Sequence, residues 1–204
     1  MIRLIFRVYL AIYYRALIIY TQFFGRLLLI ANNAKIGKNI KIYGLPSIYV
    51  HQKGLLKIGD YFSMNSGNYF NQIGRQQQTI IQVAKNAKLV IGNKVGVSSS
   101  AIICMHHIEI GNNVKIGGNV VIYDSDFHSL NANDRIKEKE DPFKIKVAEV
   151  KISDNAFIGA HSTILKGVHI GQNSIIGAGS VVTKSVPSNQ IWGGNPACFI
   201  KEIF

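Results

Sequence analysis

The chain has 204 residues, a length that suits one domain or one domain with an appendage. Because 48% of its residues are hydrophobic and only 17% are charged, its composition excludes an intrinsically disordered chain. The net charge of +12 favours an anionic partner, while two cysteines, Cys104 and Cys198, exclude a disulfide framework and fit a reducing cytoplasm.

The first predicted element is an apolar and basic helical segment over residues 1–30. Arg15 and Arg26 interrupt its apolar run, so no stretch reaches the about 20 uncharged residues of a membrane-spanning helix, and no signal-peptide cleavage site is evident. On a helix, Arg3, Arg7 and Arg15 fall near one face. Two interpretations stay open: the helix lies in the interface at the inner face of the membrane, or it packs on the body of the protein.

A six-residue repeat dominates the chain after this segment. From Ile152 to Val182 an aliphatic residue occupies every sixth position, and the same frame occurs around Ile36, Ile91 and Ile110. This period fits neither an amphipathic helix nor a single strand. It fits a short strand followed by a turn, and three such units close one triangular coil of a parallel β-solenoid. Stability then comes from the stacking of coils.

Two segments break the repeat. Residues 123–151 are polar and charged and supply no aliphatic residue at the required spacing, so they are predicted to leave the solenoid as a loop. Proline and glycine in residues 185–198 end the solenoid. The predicted organisation is a helical segment at 1–30, a solenoid domain at 31–190 that includes the loop, and a C-terminal cap at 191–204.

The run Asp124-Ser125-Asp126-Phe127-His128 stands where the loop begins. A neutral imidazole can accept a proton from a hydroxyl group near pH 7, and a neighbouring carboxylate can orient the ring. Asp126 or Asp124 could fill that second role. The predicted catalytic residues are His128 and Asp126.

The repeat, the DSDFHSL segment and the run IGAGSVVTKSVPSNQIWGGNPACFIKEI together resemble the hexapeptide-repeat acyltransferases, in particular those encoded with surface-polysaccharide genes. The resemblance begins near Ile36 and is strongest over residues 91–201. It implies an all-β, left-handed parallel β-helix that forms a homotrimer with active sites between subunits. It also implies O-acetyl transfer from acetyl-CoA to a hydroxyl of a sugar or polysaccharide precursor, without a metal ion.

The same resemblance assigns roles to individual residues. His128 is expected to be the general base, and the Ala160 amide is expected to stabilise the oxyanion. Ser98 and His106 are the expected acceptor contacts, and this serine stands where the family often has asparagine. The expected coenzyme A contacts are Gly159, Ala160, Gly177, Ala178, Thr183, Lys184 and Lys201.

Other functions remain as alternatives. A zinc enzyme similar to the γ-class carbonic anhydrases needs three converging histidines, but its pair of histidines separated by four residues is absent. A non-catalytic trimeric scaffold at the membrane surface would leave the DSDFH run unexplained. An acetyltransferase acting on serine or an antibiotic is a further alternative. Nucleic acid is not an expected partner because no recognition motif occurs.

Overall fold

A long helix precedes the solenoid in the computed structural model, which describes residues 1–71, 73, 77–137 and 141–203. Helix α1 (Ile2–Ala31) buries only Thr21, Gly25 and Leu29. A Cβ on Gly25 would lie 2.6 Å from a side-chain carbon of Ile42, so glycine lets the helix lie against the first coil. The Thr21 hydroxyl donates to the Ile42 carbonyl at 3.3 Å. In the described residues, no helix is both long enough and apolar enough to cross a bilayer.

Three sheets form the faces of a triangular prism. Sheet A contains β1 (Lys35–Ile36), β4 (Leu55–Ile58), β7 (Lys88–Ile91), β10 (His107–Ile110), β13 (Val150–Ile152) and β16 (His169–Ile170). Sheet B contains β2 (Lys41–Tyr43), β5 (Ser63–Asn65), β8 (Gly96–Ser98), β11 (Lys115–Ile116), β14 (Phe157–Ile158), β17 (Ile175–Ile176), β19 (Gln190–Gly194) and β20 (Ala197–Glu202). Sheet C contains β3 (Ser47–Val50), β6 (Ile80–Val83), β9 (Ala101–Cys104), β12 (Val121–Tyr123), β15 (Thr163–Ile164) and β18 (Val181–Val182).

The repeated aliphatic residues stack in columns inside the prism. In sheet A, for example, Ile58 pairs with Ile91, Ile91 with Ile110, and Ile110 with Ile152. All four of these side chains are at most 1% exposed. Because every coil covers the apolar residue of the next coil, the six-residue period becomes a continuous core. The predicted left-handed parallel β-helix is confirmed.

The turns between the sheets form three edges of the prism, which we name after the sheets that they join. The A–B edge includes residues 92–95, 111–114 and 153–156, and the B–C edge includes 117–120, 159–162 and 177–180. The C–A edge includes 105–106, 124–137, 141–149, 165–168 and 183–185.

Side chains cap the turn amides along the A–B edge. The Asp60 Oδ1 atom accepts from the Lys38 amide at 2.7 Å, and Asn112 Oδ1 accepts from the Asn93 amide at 2.9 Å. Asp154 Oδ1 then accepts from the Asn112 amide at 2.7 Å. Each coil therefore satisfies backbone donors of the coil before it, which is a requirement for buried or half-buried turns.

Two excursions leave the prism. The predicted one follows β12 and contains the short helix α2 (Ala132–Arg135) and a 3-10 turn (Pro142–Lys144). The second lies between β5 and β6, where the structure describes residues 66–71, 73 and 77–79, and it was not predicted. At the C-terminus, β19 continues sheet B and β20 returns antiparallel to it, so the cap is a hairpin that extends the sheet.

Candidate functional site

Asp124 fixes the C–A edge beneath the first excursion. Its buried carboxylate accepts from the Met105 amide at 2.7 Å and from the His106 amide at 2.8 Å. Both oxygens therefore hold the turn of the coil below, and they bring His106 to the base of the excursion. Burial, together with the adjacent Asp124, raises the pKa of the Cys104 thiol, so this cysteine stays protonated and is a poor nucleophile.

Asp126 lies differently from Asp124. Its Oδ1 atom is 3.3 Å from Lys166 Nζ, whereas its buried Oδ2 atom has no hydrogen-bond partner in the described part of the chain. It lines a cavity of about 270 Å³ together with Tyr123, Phe127, Leu165, Lys166 and Thr183. An unpaired buried oxygen is costly, so a donor entering this cavity would be bound favourably. The cavity thus joins a predicted catalytic residue to Thr183, a predicted coenzyme A contact.

His128 follows this cavity along the chain and is exposed. The preceding Phe127 has a left-handed backbone with φ of 60°, and its ring lies 5.4 Å from that of Tyr123. The Phe127 amide donates to Ser125 Oγ at 3.0 Å. A local hydrogen bond and an aromatic contact therefore fix the chain at the position from which His128 extends. Of the two candidate carboxylates, the one with an unused oxygen is Asp126; its pairing with His128 stays a prediction.

Asp134 organises the excursion behind His128. It lies 2.7 Å from Lys144 Nζ and 3.2 Å from Lys137 Nζ, and Ser129 Oγ donates to it at 3.4 Å. Arg135 also donates to the Ser129 carbonyl at 2.7 Å. The hydrogen bonds from Lys144 and then Lys137 hold the pKa of Asp134 below its ordinary value, although burial opposes them. This network ends at the residue adjacent to His128.

We expect Asp134→Asn to lower kcat about 10- to 100-fold with little change in the KM for the acyl donor, because a displaced base loses its alignment. The lowered pKa means that the carboxylate stabilises the loop fully above its ordinary pKa of about 3.9, and that the effect is lost as pH falls through the lowered value. Steady-state kinetics at pH 7 test the loss of kcat, and unfolding measured from pH 6 down to pH 2 tests the pH dependence. Asp141→Asn is the matched control, since asparagine can also cap the 3-10 turn. An equal loss in both variants would contradict a positioning role for Asp134.

The B–C edge differs from the A–B edge: its turns expose backbone atoms, whereas the turns of the A–B edge are capped by side chains. A Cβ on Gly159 would lie 2.5 Å from the Ala178 nitrogen, and one on Gly117 would lie 2.7 Å from the Ala160 nitrogen. Only glycine permits this stacking. Within the described residues, neither the Ala160 nor the Ala178 amide donates a hydrogen bond. The edge is therefore a strip of small residues on which the Ala160 and Ala178 N–H groups are unused, whereas the Gly159 and Gly177 amides donate to the coil above.

The predicted coenzyme A contacts fall on two edges of the prism. Gly159, Ala160, Gly177 and Ala178 lie on the B–C edge, whereas Thr183 and Lys184 lie on the C–A edge. The C-terminal hairpin with the exposed Lys201 closes onto the B–C edge, because the Gly194 amide donates to Ser180 Oγ at 3.1 Å.

Ser98 lines a second cavity, of about 300 Å³, on the outer face of sheet B. Its polar neighbours there are Ser63, Asn65 and Lys115, and the cavity extends to Gly117 on the B–C edge. Sequence reasoning missed Asn65 and Lys115. The strand register supplies the signal, since Asn65 pairs with Ser98 and both lie on the outer face.

His128 and Ala160 lie at opposite ends of the strands of sheet C. Gly117, on which Ala160 stacks, comes before β12, and Asp124 comes after it. The three residues of β12 between these two turns span about 10 Å. Within one chain, the predicted base and the predicted amide donor therefore lie on different edges of the prism.

A cluster of ionisable groups lies on sheet A. The ligand atoms of His107, Glu109 and Glu149 are within 4.8 Å of one another, and Lys151 Nζ is 3.6 Å from Glu109 Oε1. The cluster contains one histidine where the zinc alternative needs three, and a lysine already neutralises one carboxylate.

Two family models match the solenoid. The model of the bacterial transferase hexapeptide (six repeats) matches residues 149–184, and that of the hexapeptide repeat of succinyl-transferase matches residues 90–124. Together with the three parallel sheets, these matches support the hexapeptide-repeat acyltransferase family. The family and enzyme class predicted from the sequence are confirmed, while the roles of individual site residues stay predictions.

Named relatives agree with this class. WbbJ of Escherichia coli K12, named as an O-acetyl transferase of lipopolysaccharide biosynthesis, is 27% identical over 168 residues, which cover 81% of this chain and 80% of WbbJ. VCA0836, a hexapeptide-repeat acetyltransferase of Vibrio cholerae solved with acetyl coenzyme A, is 28% identical with a TM-score of 0.52. That match covers 57% of this chain and 61% of VCA0836.

A further structural relative is AntD, an N-acyltransferase of Bacillus cereus. Solved as a mutant with dTDP and coenzyme A, it is 22% identical, with a TM-score of 0.66 over 85% of this chain and 87% of the AntD chain. This likeness is one of fold. The acetyl coenzyme A bound in VCA0836 agrees with the predicted acyl-CoA co-substrate.

Proposed function

We propose that this protein is a cytoplasmic O-acetyltransferase that moves an acetyl group from acetyl-CoA to a hydroxyl of a sugar or polysaccharide precursor. The observation that carries the proposal is the placement of a histidine loop and a strip of unused backbone amides on two edges of one prism. Two such edges from neighbouring chains, facing each other, supply a base and an oxyanion donor.

The acceptor is proposed to be a sugar because of the polar groups in the Ser98 cavity. Hydroxyl and amide groups from Ser63, Asn65 and Ser98, with the Lys115 ammonium, can donate to and accept from several sugar hydroxyls. The name of WbbJ, which refers to lipopolysaccharide biosynthesis, supports a glycan acceptor. The dTDP bound in AntD supports the same class of substrate.

In the proposed reaction, His128 removes the proton of the acceptor hydroxyl as its oxygen attacks the thioester carbonyl carbon. Acetyl-CoA supplies the thioester, and its sulfur leaves with a proton that the imidazolium returns. Asp126 is proposed to stabilise the charged imidazolium. Direct transfer explains why neither cysteine is needed as a nucleophile.

The Ala160 amide is proposed to donate to the carbonyl oxygen as negative charge develops on it. A backbone N–H without an internal partner is suited to this, since nothing has to break before the donation begins. The flanking Gly159 and Gly177 leave room for a narrow pantetheine arm along the B–C edge, and Lys201 on the hairpin is proposed to meet the nucleotide phosphates.

A homotrimer is part of this proposal. His128 of one subunit would meet the Ala160 edge of the next, and a threefold arrangement closes such head-to-tail contacts into a ring. The supporting observation is that His128 and Ala160 lie on different edges of one chain, at opposite ends of the strands of sheet C.

The test is an acceptor screen with the purified full-length chain and acetyl-CoA. We expect acceptor-dependent thiol release with neutral sugars, nucleotide sugars or glycan fragments, and a product whose acetyl group is removed by mild alkaline hydroxylamine, as an ester is. Matched amino sugars serve as the control. A hydroxylamine-stable amide product would overturn O-transfer, and no thiol release with any glycan class would overturn the glycan acceptor.

A further inference from the structure

Helix α1 contacts the solenoid through a side of mixed polarity. The buried positions are Thr21, Gly25 and Leu29, and they belong to the second half of the helix. Arg3 lies 18 residues before Thr21, and Arg7 lies 18 residues before Gly25. Because 18 residues make five helical turns, the two arginines lie on the same side of the helix as the buried positions, in its first half. A helix that only packed on its own solenoid would place its most apolar side inward. The apolar side of α1 therefore faces something outside this chain.

The outward side is a continuous apolar stripe. It consists of Ile5, Ile12, Ile19, Phe23 and Ile30, which follow one another at intervals of seven or four residues and therefore share one face. Each of these side chains is at least 57% exposed. The stripe extends over about 38 Å of helix. Solitary exposed apolar residues are ordinary, but a patch of this length marks an interaction surface.

The charge around the stripe selects its partner. Residues 1–59 contain nine lysines and arginines and no aspartate or glutamate. A second copy of α1 would bring the same positive charge against the first, whereas an anionic lipid surface complements it. Arginines on one side and large apolar residues on the other are typical of a helix that lies in the plane of a membrane interface.

We propose that α1 lies along an anionic phospholipid surface through this stripe, with Arg3, Arg7 and Arg15 reaching the headgroups and the solenoid held on the other side of the helix. Aromatic residues on the outward side, Tyr9 and Phe23, suit the boundary between headgroups and acyl chains. This proposal does not depend on the catalytic one. It brings the prism close to the bilayer.

The experiment is cosedimentation of the full-length protein with vesicles of phosphatidylcholine alone or of phosphatidylcholine with phosphatidylglycerol. Each arginine near the surface raises partitioning about fivefold, so we expect at least about tenfold tighter binding to the anionic vesicles and weakening at high salt. The double variant Ile12→Glu/Ile19→Glu should lose binding by on the order of 100-fold, because two large apolar side chains leave the interface.

The matched control is Leu130→Glu/Ile136→Glu, which makes the same kind of change at two side chains that are 68% and 79% exposed in the first excursion. This control should bind vesicles as the unmodified protein does. Equal binding to both vesicle types, or no binding at all, would overturn the proposal. If the Ile12→Glu/Ile19→Glu variant keeps vesicle binding but changes the mass of the protein in solution, the stripe is an interface between copies and the membrane proposal is wrong.

Discussion

Replacement of His128 by alanine is expected to lower kcat for acetyl transfer about 1,000-fold, because the acceptor hydroxyl would lose its general base. Binding of coenzyme A should persist, since none of the bare backbone of the B–C edge is altered. The measurements are acceptor-dependent thiol release and the shift of the unfolding temperature by coenzyme A.

His169→Ala is the matched control, because His169 is also exposed but lies on sheet A, away from both cavities. It should keep the activity of the unmodified enzyme. Full activity in His128→Ala would refute the proposed base, and an equal loss in both variants would show that the assay reports folding and not catalysis.

Ala160→Pro is expected to lower kcat about 100- to 1,000-fold, the effect of removing one oxyanion donor. Proline deletes the amide hydrogen and places a ring carbon on the nitrogen in its stead. The next residue, His161, has φ of 63°, so Ala160 occupies the second position of a turn that accommodates proline. Because this N–H donates no hydrogen bond within the described residues, its loss should cost little stability.

Ala160→Gly separates the amide from the side chain, because glycine keeps the N–H. This variant should retain most of the activity, and circular dichroism should show that the proline variant melts close to the unmodified protein. Unchanged kcat in a folded Ala160→Pro enzyme would exclude this amide as the oxyanion donor.

Mixing the two inactive variants tests where the site is formed. If His128 and Ala160 meet across a subunit boundary, randomly mixed trimers regain about a quarter of the sites, each from one intact histidine and one intact amide. If both groups act within one chain, mixing His128→Ala with Ala160→Pro subunits restores nothing.

The sequence was sufficient for the architecture because the solenoid repeats one local rule. Each inward position, such as Ile110 or Ile158, is apolar at a fixed interval, so the period alone predicts the stacked core. The excursion between β5 and β6 was missed because the residues on either side of it, Met64 and Ile81, are apolar core residues like those of every other coil. The signal was the interval between them, which is far longer than six residues and is rich in asparagine and glutamine.

The site was harder to predict because the role of each residue depends on the edge of the prism at which its turn lies. Asp124 and Asp126 are equivalent in the sequence, and only the turn at residues 105–106 reveals that Asp124 is used by backbone amides. Ala160 and Ala178 are 18 residues apart, one full coil, and share an edge. Thr183 is five residues beyond Ala178 and lies on the next edge.

The attachment of α1 to the first coil has a consequence for self-assembly. The start of a solenoid is an open rim of backbone groups onto which another chain could add strands, and helix α1 blocks that rim through Thr21 and through Arg26, which donates to the Ile40 carbonyl at 2.8 Å. At the far end the antiparallel return of β20 blocks further growth. Trimming the N-terminus would therefore uncover an unpaired sheet edge, at which two trimmed chains could pair start to start.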